Sequence, residues 1–417
     1  MSSGNCCPNP QGMGNGNGDI TIAGVGPAVN SQFDELKVSE RTPIFEISST
    51  YGISALRDVI STTGTGTVTN NTVVYEVATG TGSAGAASLE TAQRGRYQPG
   101  YAAEAGIAVR VPQLPTGSQI GRWGLFGIEN GLFFGVSGNE GVFVGVRRDG
   151  VETRIQQNDW NIDPLNGTGP SGLTLDLNDG NIFQIDFTWY GFGVIEWSVV
   201  MQNQQTLAQE VVTVHRYKPI SFTSLEDPNL PVKAEVQNNG ETTSFLIRVA
   251  GRQYSILGEN VPSFRVTSAR RTVTATTTLT PLLSFQRKAE FPAGSGRPNS
   301  INVTLEGLDL VTGADIFYQI VLGGTLNTAF SDFPTANTNI PATETALRVN
   351  NTATSFSTPG QVVFQGLAVG GQGNQTNLTE GNLLDIVLPS TSIITLAVGT
   401  FSGSTTVQGV FRASEEW

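Results

Sequence analysis

Histidine occurs once in the 417 residues, as His215, and lysine four times, as Lys37, Lys218, Lys233 and Lys288. A Ser-His-Asp or Cys-His catalytic system would have to be built on His215, which sits inside an apolar-alternating stretch without a Gly-x-Ser-x-Gly elbow. Alternation puts it on one face with Val211 and Thr213, as a structural or surface histidine. Cysteine is confined to Cys6 and Cys7, too few for a zinc site and too close for a bridge to each other. Charged residues make up only 14%, and the balance of 23 basic against 35 acidic side chains gives a net charge of −12. Such a chain repels phosphate backbones, which argues against nucleic acid as a partner. No run of 18 or more apolar residues exists, so no membrane-spanning helix is expected. The first residues lack a basic segment followed by an apolar one, so no secretory leader is expected and the chain is read as kept or assembled in the cytoplasm. Walker-type loops, dinucleotide fingerprints and zinc patterns are missing, and no cofactor is expected. Asp176-Leu177-Asn178-Asp179-Gly180 resembles the start of a calcium loop, but its glycine arrives one residue early and no glutamate closes it, so it reads as a turn.

What is present is glycine, 50 residues of it, with abundant Thr, Ser and Asn between short bursts of Val, Ile and Phe. Asn-Gly and Asp-Gly signals recur at Asn130-Gly131, Asp149-Gly150, Asp179-Gly180 and Asn239-Gly240. These are turn-formers, and their spacing indicates antiparallel strands without intervening helices. The expected fold class is all-β: two antiparallel β-sandwich domains preceded by an extended N-terminal arm. Residues 1–35 are the Gly/Asn-rich arm, 36–285 a large sandwich and 286–417 a small one. Residues 61–95 are expected to hold one clear strand, Thr72–Ala78. Eleven strands are expected between 96 and 285, among them Ile182–Trp189, Val194–Met201, Val211–Tyr217, Ser244–Val249 and Gln253–Leu257. Residues 262–300 read as a Thr/Arg/Pro-rich crossover.

Few residues suggest chemistry. Asp186 and Glu196 fall on successive strands and could face each other across a hairpin, as an acid/base pair would; ordinary solvent-face acids are the simpler reading. Arg96, Tyr97 and Tyr101 in a turn-rich segment, with Trp160 at the head of a Gly/Pro-rich loop, are candidate contacts for a glycan or a protein partner. Packing under loops is the simpler account of these rings. In the arm, Cys6, Cys7, Ile20 and Ile22 are candidate assembly contacts.

Several segments, taken in order, resemble a family of phage and large-virus virion proteins described as structural. They are Ser54–Asp58, Leu89–Tyr101, Gly121–Gly124, Asn130-Gly131, Val146–Arg148, Asp159–Asn161, Leu165–Gly172, Phe187–Val194 and Pro228–Val232. The resemblance covers roughly residues 40–255. It implies a jelly-roll or concanavalin A-like sandwich in a capsid-associated or tail protein, and it carries no catalytic residues. The expectation is a non-enzymatic subunit of a virus particle, assembled in the host cytoplasm. It would pack against copies of itself, with a trimer as first guess, and against other virion proteins. The alternative is a receptor- or glycan-binding virion protein with or without polysaccharide depolymerase activity.

Overall fold

Asp149 and Gly150 both adopt the left-handed backbone conformation, with φ of 49° and 71°. They join Arg148 to its cross-strand partner Val151, the two-residue hairpin that the Asp-Gly signal calls for. Local chemistry of this kind, repeated along the chain, builds the computed structural model, which describes residues 41–98, 100–202, 207–258, 264–371, 375–378, 386–389 and 392–416. Cys6, Cys7, Ile20, Ile22 and the rest of the arm lie outside the described residues.

In chain order the first unit contains β1 (Arg41–Ile47), β2 (Asp58–Thr63), β3 (Thr67–Asn71), β4 (Val74–Ala78), β5 (Ala86–Thr91), β6 (Ala103–Arg110), β7 (Ile120–Phe126), β8 (Gly131–Ser137), β9 (Gly141–Arg148), β10 (Val151–Gln156), β11 (Asn181–Phe187), β12 (Ile195–Gln202), β13 (Gln209–Tyr217), β14 (Val232–Gln237) and β15 (Leu246–Leu257). One sheet has eight strands in the order β13-β12-β11-β6-β15-β4-β3, with β1 also on β15; the other has seven, β10-β9-β8-β7-β14-β5-β2. The two sheets pack face to face through one apolar core, as amphipathic strands must. Phe183 of the first sheet reaches Trp123 and Phe134 of the second, at ring separations of 5.1 and 4.8 Å.

A second core is separate from the first. The strands Phe264–Thr267, Arg271–Ala275, Asn302–Thr312 and Thr405–Glu416 belong to its six-stranded sheet, and Thr280–Arg287, Ile316–Leu322, Leu347–Asn350, Gln361–Ala368 and Ile393–Thr400 form its five-stranded sheet. Phe285 and Phe411 stack across it, 5.5 Å apart and nearly parallel. The two-sandwich, all-β architecture is therefore the expected one.

Details differ from the expectation. The sequence places residues 264–285 in the large unit and reads 262–300 as a crossover, yet residues 264–287 hold three strands that pair within the second unit. The break between cores thus falls between Leu257 and Phe264 and not at residue 285. Threonine-rich sequence is compatible with strands, and a partner such as Thr405–Glu416 decides the matter. Residues 61–95 hold the second half of β2 and all of β3, β4 and β5, not one strand. Ser244–Val249 and Gln253–Leu257 belong to one stretch whose strand is β15, with Gly251 in a bulge between Val249 and Arg252.

Candidate functional site

The outer faces of the two large sheets are unlike. On the seven-stranded sheet, Phe126, Phe133 and Phe143 are buried beneath a cover of cations. Arg147 lies 5.3 Å from the Phe133 ring and Arg154 5.0 Å from Phe143. The same cations are tied to carboxylates: Arg122 to Glu235 and Glu152 at 3.0 and 3.1 Å, Arg147 to Glu152 at 3.0 Å. This face satisfies itself and leaves little to bind with.

The eight-stranded sheet presents something different. Its central strand β6 alternates inward Ala103, Ala105, Ile107 and Val109, all core members, with outward Glu104, Gly106, Ala108 and Arg110. Small side chains in mid-strand, flanked by longer ones on neighbouring strands, leave a groove along β6. One part of about 580 Å³ is lined by Arg41, Glu46, Glu104, Gly106, Gln184, Gln209, Gly251 and Gln253. A second part of about 400 Å³ shares Ala108 and Ile182 with the first and adds Arg110, Asn181 and Arg248. Beyond Glu104, towards the start of β6, lies a small cleft of about 80 Å³ between Asp186, Glu196, Val194 and Leu257.

Three carboxyl groups stand in a row at this end. Asp186 of β11 is the direct cross-strand partner of Glu104 on β6 and of Glu196 on β12, which places neighbouring Cβ atoms about 5 Å apart. Arg41 and Gln253 both donate to Glu104 Oε1, the amide at 2.8 Å. Glu196 is held at both oxygens, by the Thr213 hydroxyl and by Arg216, each at 2.7 Å. Asp186 has weaker support. Gln184 donates to its Oδ1 at 3.4 Å, and its buried Oδ2 has no partner among the described residues. Burial pushes the Asp186 carboxyl well above its usual range, and the charges of Glu104 and Glu196 push it the same way, against Gln184 and Arg41. The central acid is therefore favoured in its neutral form between two carboxylates that are each paired with a guanidinium.

The sequence pairing of Asp186 with Glu196 is thus realised, whereas Glu104 was missed. Its strand was expected to begin at Ile107, and its contact with Asp186 joins residues 82 positions apart. The one available signal was a lone acid in a run of small residues, Ala102–Ala108.

The four ring and guanidinium candidates do not gather at a surface. Arg96 is buried and pairs with Glu416 of the second unit at 3.0 Å. Tyr97 is buried edge-on to Trp189, and its hydroxyl oxygen accepts from the Tyr190 backbone N–H at 3.0 Å. Trp160 packs on Phe134 and donates to the Ile155 carbonyl at 3.2 Å. Tyr101 is half-buried against Gly258. Packing, the simpler reading, accounts for Tyr97 and Trp160, because burying a ring outweighs leaving it on a loop; Arg96 is used in the joint between units. His215 is also displaced from expectation. A bulge gives Trp197 the partner His215 and Ser198 the partner Thr213, so His215 turns to the inner side beside Trp197, 5.8 Å away. Its Nδ1 accepts from the Asn161 N–H at 3.2 Å, and burial lowers its pKa. Asp176 caps a plain turn, its Oδ1 accepting from the Asn178 N–H at 2.8 Å. Among the described residues no group of three or more His, Cys, Asp or Glu is placed to hold a metal ion, and no helix is long and apolar enough to cross a membrane.

No family model matches the chain, and no curated protein matches it. Solved structures resemble about half of it. An endo-β-1,4-glucuronan lyase from the fungus Trichoderma reesei is similar at 12% identity, over 52% of this chain and 96% of that one, with a TM-score of 0.33. An endo-acting O-glycanase of the human gut microbiota is similar at 7% identity, over 52% and 100%, with a TM-score of 0.36. A legume lectin-like domain from Entamoeba histolytica is similar at 13% identity, over 48% and 89%, with a TM-score of 0.29. The likeness is one of β-sandwich fold.

Proposed function

We propose that this protein binds an extended, hydroxyl-rich glycan chain in the groove along β6. The observation that carries the reading is the groove itself: a floor of Gly106, Ala108 and Gly251 between walls in which amides, carboxylates and guanidinium groups alternate with apolar Ile182 and Val200. Sugar hydroxyls both donate and accept, so they suit a surface that offers both roles in fixed positions. The wall groups hold one another in place: Ser255 donates to Gln253 Oε1 at 2.8 Å, and Gln253 to Glu104 at 2.8 Å. Such preorganisation lowers the entropy lost on binding. The test is affinity electrophoresis of the full chain through gels containing a panel of soluble polysaccharides. Ala108→Trp, which fills the floor from the outer face, should abolish any retardation of the wild type without lowering its melting temperature. Retardation that persists in this variant, or its absence on every polysaccharide, would refute the groove reading.

A second reading keeps the expected role as a subunit of a virus particle. It is favoured by Ile128, Tyr190, Phe192, Ile220 and Phe222 on loops and Val151 at the start of β10, all exposed at one end of the large sandwich. Apolar exposure on this scale marks association surfaces. Sedimentation of the full chain should show an oligomer, a trimer being the first expectation. Phe222→Ser together with Ile220→Ser should reduce it to monomers; a wild-type monomer at all concentrations contradicts this reading.

A further inference from the structure

We infer that the groove ends in a centre that hydrolyses the chain it binds, with Asp186 as the proton donor and Glu104 as the carboxylate nucleophile. This inference rests on the glycan-groove reading and goes past it to an activity.

Carboxyl groups directly opposite on adjacent strands repel one another, and burying one without a full set of hydrogen bonds costs further stability. The described residues nonetheless hold three in a row, with the middle one 6% exposed. The environments separate their roles. Glu196 has both oxygens engaged, which suits a positioning residue. Both donors to Glu104 reach the same oxygen, Oε1, and Glu104 lines the wide groove. Neither of these donors engages its second oxygen. Asp186 borders the small cleft at the groove's end and has an oxygen without a partner. Arg41, whose side chain is half exposed, lies on Glu104 as a cap that an incoming chain could displace.

The step balances without an additional reagent. Directly opposed carboxyls leave no room for a water between them and the sugar, so Glu104 attacks the anomeric carbon itself. The bond from that carbon to the leaving sugar oxygen breaks, and that oxygen takes the proton of Asp186. The Asp186 carboxylate then takes a proton from a water whose oxygen bonds to the anomeric carbon as the bond to Glu104 breaks, so one water is consumed per bond cleaved and both groups return to their starting forms. An acid that burial makes hold its proton, beside a carboxylate paired with a guanidinium, is the division of labour this chemistry needs. The charged groups facing Asp186 are Glu104 from β6, Glu196 from β12 and Arg41 from β1, with Arg216 of β13 behind Glu196.

The experiment takes the polysaccharide that the full chain retards and measures new reducing ends. Wild type should produce them. Asp186→Asn should lose about 100-fold or more of the rate while still being retarded in the gel and melting cooperatively, and Glu104→Gln, which also alters the groove wall, should lose rate to the same extent per bound chain. Glu196→Gln should shift the alkaline limb of the pH–rate profile to lower pH, because the charge that helps keep Asp186 protonated is gone. A polysaccharide that is bound but stays uncut, or is cut equally well by Asp186→Asn, overturns the inference and leaves the groove intact. Failure of every polysaccharide to bind overturns the groove reading itself.

Discussion

Arg96 of the large sandwich and Glu416 of the small one form an ion pair at 3.0 Å in which both side chains are nearly buried. Burial lowers the pKa of Arg96 and the charge of Glu416 opposes that shift. Close by, Asn302 of the small unit donates to the Arg94 carbonyl at 3.0 Å, and Arg297 to the Glu226 carbonyl at 3.3 Å. Among the described residues the two cores are thus joined by polar contacts, and their apolar clusters are separate. A guanidinium beside two tyrosines suggested a sugar contact from sequence, whereas its place in the fold is this joint.

Arg96→Ala is expected to destabilise the protein by about 3–5 kcal/mol, because it removes a guanidinium from a buried carboxylate, that of Glu416. Retardation by polysaccharide should not change. Urea denaturation and affinity electrophoresis of the same variant check both halves. A loss of binding with unchanged stability would restore Arg96 as a ligand contact.

Asp186→Asn is expected to raise the melting temperature, by an amount that grows with pH. The sign follows from the direction of the shift. Asp186 holds its proton more tightly in the folded chain than its ordinary value of 3.8. The folded state therefore binds more protons above that value, and wild-type stability falls as pH rises from it towards the raised folded pKa. Asparagine has no proton to lose, so its advantage should be small near pH 4 and larger near pH 7. Calorimetric scans across that range decide; a gap that is constant with pH would mean that Asp186 is not held neutral.

Gly145→Ala is expected to cost about 1–3 kcal/mol through overpacking. Gly145 lies opposite Phe133 in the ladder, and a Cβ there would come 2.4 Å from the ring. The change should also disturb the stacking of Arg147 on Phe133. An unchanged urea midpoint would show that the ring can move aside.

Phe183→Ala is expected to cost about 3–5 kcal/mol, since its ring bridges Trp123 and Phe134 between the sheets. The loss should fall on the first transition only, if the two cores unfold as separate units. A single transition that moves as a whole would show that the joint at Arg96 couples them completely.

Much of the fold was legible because its cause is local. The Asp149-Gly150 hairpin needs two residues that tolerate positive φ, and the sequence supplies them. Alternation in Ile182–Trp189 and Val194–Met201, joined by a short loop, was enough to oppose Asp186 and Glu196. Turn residues were less informative where the chain crosses between sheets. Asn239-Gly240 has left-handed backbone as its type suggests, yet it leads from β14 in one sheet to β15 in the other. The identity of the turn says nothing of where the next strand goes.

The sequence by itself determined an all-β chain, its antiparallel pairing of neighbours, two sandwich units and the scarcity of reactive side chains. Only the tertiary structure decided which distant strands lie side by side. It set Glu104 against Asp186, aligned the small residues of β6 and β15 into a groove, drew Tyr97 and Trp160 under cover, spent Arg96 on the joint and turned His215 inward through the bulge at Val214. The physical reason is that local propensity ranks conformations of a few residues at a time. Pairing of remote strands is chosen by how much apolar surface the whole arrangement removes from water, and polar side chains such as Glu104 and Asp186 are carried along to wherever that choice puts them.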